Sequence, residues 1–417
     1  MLSRLASAMI ITLVVAIQPP GFEVGAIIRK IDVEKRVAEV FANGQERTVR
    51  IAADVATQDE SGKDLSGGLS APELKEGATV TLRLERNGNM PSIVLIRLAR
   101  KVNGLNRPPN TTNRQGQMSV GKNSVGFKPL TEMTPQDVYK GEDGGLYGGG
   151  QNEPSESLTA AAEKATSQIQ PRDAAGRPAI DGTIGLVSIS MSNATQEFSR
   201  FKQLADADTE KSPLVTIVDC AQGGQTMARW ADSKAACWNE ADRRLKISGV
   251  SQEQVQVAWV KLANASPSGE FEEHGKQLER DTRVVLANLK QHFPNLQIAY
   301  LGSRIYGGYS DGRLNPEPYA YEGGFVVRWL IKSQANGDAE LNSDAKLGDV
   351  KSPLLLWGPY FWADGITPRA SDGLIWERTD LVNDGTHPSD TGRQKVAEQL
   401  LSFFKTDIRT REWFVKK

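Results

Sequence analysis

Cysteine, histidine and long apolar runs are all scarce in this 417-residue chain, and each scarcity removes a class of function. The two cysteines, Cys220 and Cys237, form no Cys-x-x-Cys pair, so a zinc or redox site built on thiolates lacks its ligands. Only three histidines occur, so each can be weighed singly. Lys plus Arg total 50 against 51 for Asp plus Glu, a formal net charge of -1 that gives no means of displacing counterions from nucleic acid. Hydrophobic residues make up 39% and aromatics 7%, which fits a globular chain with a sizeable polar linker rather than a membrane protein. The apolar run at residues 5–16 is about a dozen long, short of the ~20 that span a bilayer as a helix.

What is present divides along the chain. A basic start at residues 1–4, the apolar run and a small-residue exit at Val14-Val15-Ala16 have the layout of a secretory signal over residues 1–23, so export to the periplasm or beyond the cell is expected. From 24 to 100 the pattern has period two, with hairpin signals at Asn43-Gly44 and Asn87-Gly88. Four or five short strands in that space predict a small closed barrel of the OB or SH3 kind. Phe41 is its one aromatic and no basic face accompanies it, so a structural or docking role is expected. Residues 101–180 are rich in Gly, Pro, Asn and Gln and are expected to be linker followed by a glycine-rich loop lying over the next domain.

Residues 181–417 read as strands alternating with helices. Short apolar runs at 184–189, 214–218, 255–262, 296–301 and 354–357 suit strands covered on both faces, and residues 270–292 and 391–404 carry apolar positions at helical spacing. The expectation is an α/β domain with a five-stranded parallel sheet and helices on both faces, its ligands at the carboxyl ends of the strands.

Those ends hold the candidate chemistry. His387 lies in Asn383-Asp384-Gly385-Thr386-His387-Pro388, just before the last helix. An acidic group three residues earlier on a glycine turn can accept the Nδ1 proton and leave Nε2 free as a base. His274 and His292 sit in or beside a charged amphipathic helix and are expected at the solvated surface. The first strand ends in Ser188-Ile189-Ser190-Met191-Ser192, where Ser192 fits a nucleophile at a strand-to-helix turn; its bland alternative is a helix N-cap. Gly224 follows the second strand and Asn264 the third, positions from which a backbone or side-chain amide can face an oxyanion.

Serine after strand one, glycine after strand two, asparagine after strand three and Asp-x-x-His before the last helix resemble the SGNH (GDSL-like) hydrolase superfamily, over roughly residues 180–410. The resemblance implies a flavodoxin-like three-layer α/β/α sandwich and a Ser192–His387–Asp384 triad. The oxyanion hole would be formed by Ser192, Gly224 and Asn264. Ser190-Met191 replaces the family's Gly-Asp before the serine, and only the asparagine of the third block is kept, which marks a divergent branch.

Arg304, Tyr306, Glu322, Trp357, Tyr360 and Trp362 also fall at strand ends and are expected to bind substrate, the alternative being that the aromatic rings anchor loops in the core. The expected function is an exported serine esterase acting on acyl, chiefly acetyl, esters of a carbohydrate, with no metal or organic cofactor. A lipid esterase and a non-catalytic glycan-binding envelope protein are the alternatives. In an exported chain, Cys220 and Cys237 are expected to form a disulfide pinning the loop that presents Gly224.

Overall fold

The computed structural model describes residues 22–42, 45–87, 90–98, 121–310, 312 and 314–416. The signal segment at 1–21, the Asn43-Gly44 turn, Gly88 and the linker at 101–120 lie outside the described residues. The chain divides into two units, Met1–Thr112 and Asn113–Lys417.

The first unit is a closed five-stranded barrel of the OB-like kind. Its strands are β1 (Phe22–Asp32), β2 (Val37–Ala42), β3 (Gln45–Gln58), β4 (Thr79–Asn87) and β5 (Met90–Leu98), in the order β1-β2-β3-β5-β4. All pairings are antiparallel except β3 with β5. The period-two pattern becomes the packing: Ala26 and Ile28, Ala38 and Val40, and Val80, Leu82 and Leu84 point inward. Closure leaves no edge strand to be covered.

The second unit is built on a five-stranded parallel sheet: β6 (Ile184–Ile189), β7 (Val215–Asp219), β8 (Val255–Lys261), β9 (Ile298–Gly302) and β10 (Leu354–Trp357), ordered β10-β9-β8-β6-β7. Every residue of β6, β8, β9 and β10 is buried, as continuous apolar runs require when both faces are covered. Helix α2 (Ser192–Ala207) packs on α7 (Asp390–Thr406), which also meets α8 (Ile408–Phe414). Helix α5 (Phe271–His292) packs on α6 (Tyr319–Ala335) and on the short α3 (Met227–Trp230), with α4 (Ala236–Ile247) beside β7.

One boundary differs from the expectation. Residues 121–180 belong to the second unit, and they include the helix α1 (Glu156–Thr166), capped by Ser155. Their own apolar content is low, but they complete a core supplied by others: Leu130, Met133, Leu158, Ala162 and Ile169 are buried in the second unit's cluster. The start of the segment is held by Asp364, whose carboxylate accepts from the Val125 amide at 2.7 Å, the Gly126 amide at 2.9 Å and the Ser124 hydroxyl.

Candidate active site

Strand β6 runs out at Ile189, and the chain turns through Ser190 and Met191 into α2, with Ser192 as the first helical residue. The two serines face different ways. Ser190 is buried and donates to the Lys261 carbonyl at 2.5 Å, which ties the end of β6 to the end of β8. Ser192 is half-buried, and its Oγ lies 2.7 Å from His387 Nε2. The N-cap position belongs to Met191, so Ser192 does not cap its helix.

His387 sits at the end of a loop closed by backbone hydrogen bonds from Val382 to His387 and from Gly385 to Val382. Gly385 adopts φ 65°, a conformation that favours glycine, and this lets Asp384 curl back under the imidazole. Asp384 Oδ2 is 2.6 Å from His387 Nδ1, and Oδ1 accepts from the Thr386 and His387 amides, each at 2.9 Å. Burial by itself would raise the Asp384 carboxyl. The hydrogen bond and charge of His387, together with the two amides, outweigh that, and the carboxyl is held below its usual range. An ionised Asp384 keeps the proton on Nδ1 and leaves Nε2 free to accept the Ser192 hydroxyl proton.

The surroundings are fixed by a second carboxylate. Asp219, the last residue of β7, accepts hydrogen bonds from Ser188 at 2.5 Å and from Thr195 and Ser199 of α2 at 2.6 Å each. The Thr195 and Ser199 hydroxyls hold the first two turns of α2 against the sheet. Burial nonetheless raises the Asp219 pKa, with the hydroxyls opposing it.

The oxyanion candidates separate. The amides of Ser192 and Gly224 have no hydrogen-bond acceptor among the described residues. Gly224 is exposed, with φ 77°, in a loop tied to the Ser190–Ser192 turn by the Gln222 backbone amide on the Ser190 carbonyl at 3.0 Å. Asn264 has other work: Oδ1 accepts from the Ala228 amide at 3.0 Å and Nδ2 donates to Asp281 Oδ2 at 2.6 Å. Its side chain joins α3 to α5 and spends one of its two Nδ2 hydrogens on Asp281.

The six residues expected to bind substrate are all buried, and the structure gives each a structural partner. Tyr306 donates to the Lys122 carbonyl and Trp357 to that of Leu146, each at 2.7 Å, while the Tyr360 hydroxyl accepts from the Leu130 amide at 3.3 Å. Residues 121–150 thus cover the rings that would have lined a sugar site. Trp362 donates to the half-buried Glu317 at 2.7 Å. Glu322 is paired with His274 at 2.5 Å, Tyr139 at 2.7 Å and Lys140 at 3.1 Å. Arg304 is 3% exposed and donates to Asn193 at 3.3 Å. The loop-anchoring alternative holds for the rings.

Two further expectations are corrected. His274 is not a solvated surface group, since its side chain is 8% exposed against Glu322; His292 pairs with Asp242 at 2.7 Å. Cys220 and Cys237 are free and buried. The loop they were expected to pin is held instead by Gln222, whose amide donates to the carbonyls of Cys220 at 3.1 Å and Cys237 at 2.8 Å, and by Arg244 on the carbonyls of Asp219 and Ala221. Among the described residues, no group of three His, Cys, Asp or Glu side chains gathers as a metal site.

Sequence reasoning missed Asn193 and Asp219. The signals available were their places, one residue after Ser192 and at the carboxyl end of the second strand.

No family model matches the chain, and no curated protein does. Among solved structures, Ag(I)CusF is 15% identical with a TM-score of 0.15, the match covering 19% of this chain and 100% of that one. Apo-CusF from Escherichia coli is 14% identical with a TM-score of 0.16, covering 22% and 100%. The periplasmic domain of a lipopolysaccharide acetyltransferase from Salmonella ser. Paratyphi A is 14% identical with a TM-score of 0.29, covering 58% and 87%. Likeness at this level leaves ligand and activity to be argued from the site itself.

Proposed function

We propose that the second unit is a serine ester hydrolase of the SGNH type that cleaves short-chain acyl esters, acetyl esters first among them. The observation that carries this reading is the unbroken line of two short hydrogen bonds, Ser192 Oγ to His387 Nε2 at 2.7 Å and His387 Nδ1 to Asp384 Oδ2 at 2.6 Å. Counted from the start of this unit, the strand order is 2-1-3-4-5, the flavodoxin-like doubly wound order. In such sheets ligands bind where the order reverses, and Ser192 follows the strand at that point.

In the proposed reaction Ser192 Oγ attacks the ester carbonyl carbon while His387 Nε2 takes the hydroxyl proton. The carbonyl electron pair moves to oxygen, and the amides of Ser192 and Gly224 are the proposed donors to that oxyanion. The first turn of α2 adds the positive end of its dipole. Collapse expels the alcohol, which leaves with the proton from Nε2, and the acyl group stays on Oγ. Water then attacks the acyl-enzyme with His387 again as base, releasing the acid and restoring the serine.

The carbohydrate preference drawn from exposed aromatic loops has no support, because Trp357, Tyr360 and Trp362 are buried. The glycan-binding alternative loses the same support. Export is proposed from the pattern at residues 1–23. Among the described residues, no helix is long and apolar enough to cross a membrane.

The test is hydrolysis of p-nitrophenyl acetate and labelling by a fluorophosphonate. Wild type should do both and Ser192→Ala neither. A folded wild type inert to both reagents overturns the reading.

A further inference from the structure

Asn193 follows the nucleophile and Thr386 precedes the base, and the two meet inside the protein. Asn193 Nδ2 donates to the Thr386 carbonyl at 2.7 Å, and its Oδ1 accepts from Arg304 at 3.3 Å. We propose that Asn193 is a positioning residue that sets the Ser192–His387 separation by clamping the peptide before His387 to the turn that carries Ser192. The proposal rests on the serine-hydrolase reading above.

The orientation of the Asn193 amide is determined by its partners. A guanidinium only donates and a carbonyl only accepts, so Oδ1 must face Arg304 and Nδ2 must face Thr386. Adjacent residues are about 3.8 Å apart along the chain, so this clamp runs beside the Ser192–His387 hydrogen bond, one residue away on both strands of the contact. The other bonds of the base loop are largely internal to it: Val382 to His387, Gly385 to Val382 and Asp384 to the Thr386 and His387 amides. They shape the loop without setting its distance from α2. Two further ties reach outside it: Arg378 donates to the Val382 and Asn383 carbonyls, each at 2.9 Å, and Thr386 Oγ1 meets Ser310 Oγ at 2.7 Å.

The supporting group is costly to bury. Arg304 is 3% exposed, and its Nε has no hydrogen-bond partner among the described residues. Asn193 is 2% exposed in the first turn of α2, two residues past the N-cap Met191. Burying an amide and a guanidinium where an apolar pair would fit costs stability. The return visible in the structure is one fixed orientation of the Asn193 amide.

Asn193→Ala removes the clamp. Asn193→Asp is nearly isosteric, keeps an oxygen for Arg304 and sets an acceptor against the Thr386 carbonyl. With the fluorophosphonate and p-nitrophenyl acetate, both variants should lose about 10- to 100-fold in labelling rate and kcat, the range expected when a reacting group is misplaced by about 1 Å. KM should change less than about 3-fold, because the clamp is buried away from substrate. The downfield proton resonance of His387 Nδ1–H should persist, since the Asp384–His387 pair is internal to the loop. Wild-type labelling rates in folded variants overturn the inference, and so does loss of that resonance together with activity, which would mean that the loop itself had collapsed. A wild type that takes no phosphonate defeats the hydrolase reading first, and the clamp with it.

Discussion

Replacing Asp384 by asparagine tests the proposed chemistry at the atom where tautomer and geometry meet. Oδ1 of Asp384 accepts two backbone amides, those of Thr386 and His387, while Oδ2 accepts one imidazole N–H. An asparagine has one oxygen, and keeping two backbone hydrogen bonds outweighs keeping one to the ring, so its NH2 turns toward Nδ1. The imidazole then carries its proton on Nε2 and cannot accept from the Ser192 hydroxyl. Wrong-tautomer substitutions of this kind cost about 10⁴-fold in kcat, or roughly 5 kcal/mol of barrier. The fold should survive, because both loop amides keep an acceptor. The assay is p-nitrophenyl acetate turnover with circular dichroism on the same samples. A folded Asp384→Asn protein within about 10-fold of wild type would refute the base assignment, since the proton-transfer contribution of a positioned base is itself about 10²- to 10⁴-fold.

Ser190→Ala should keep phosphonate labelling while losing about 1 to 3 kcal/mol of stability in urea melts, because it strips a buried hydrogen bond from the Lys261 carbonyl. Two thiols should titrate in denaturant without reductant. In the native protein both should alkylate slowly near pH 8, burial pushing Cys237 up to about 11 and Cys220 higher still. Burial lifts Glu317 from 4.5 to about 7 against three N–H donors, so the folded state holds its proton more tightly than the unfolded state does. Its contribution is present below about pH 4.5 and is lost as pH rises to 7. Denaturation midpoints across that window should therefore fall less steeply in Glu317→Gln than in wild type.

Much of the architecture was legible because it depends on short-range pattern. Continuous apolar runs mark β6, β8 and β10 since both faces of a parallel strand are covered, and period-two alternation marks the barrel since one face looks inward. Asp384 and His387 were legible as a pair because three residues on a glycine turn bring carboxylate and imidazole together without help from the rest of the chain.

The failures share a cause. The glycine-rich loop does lie over the next domain as expected, but composition gave no sign of helix α1 or of the residues by which 121–180 completes a core made elsewhere. Once it does, Tyr306, Trp357 and Tyr360 are covered and cannot line a substrate site. Asn264 kept its place after the third strand and there also ties Ala228 to Asp281. The sequence by itself determined the strands, the helical stretches at 270–292 and 391–404 and the chemical groups at the strand ends, because hydrophobic period and turn chemistry act over a few residues. Which serine faces His387, which amide is free and which ring is covered were decided only in the tertiary structure, where burial and hydrogen-bond partners come from residues 195 and 211 positions away.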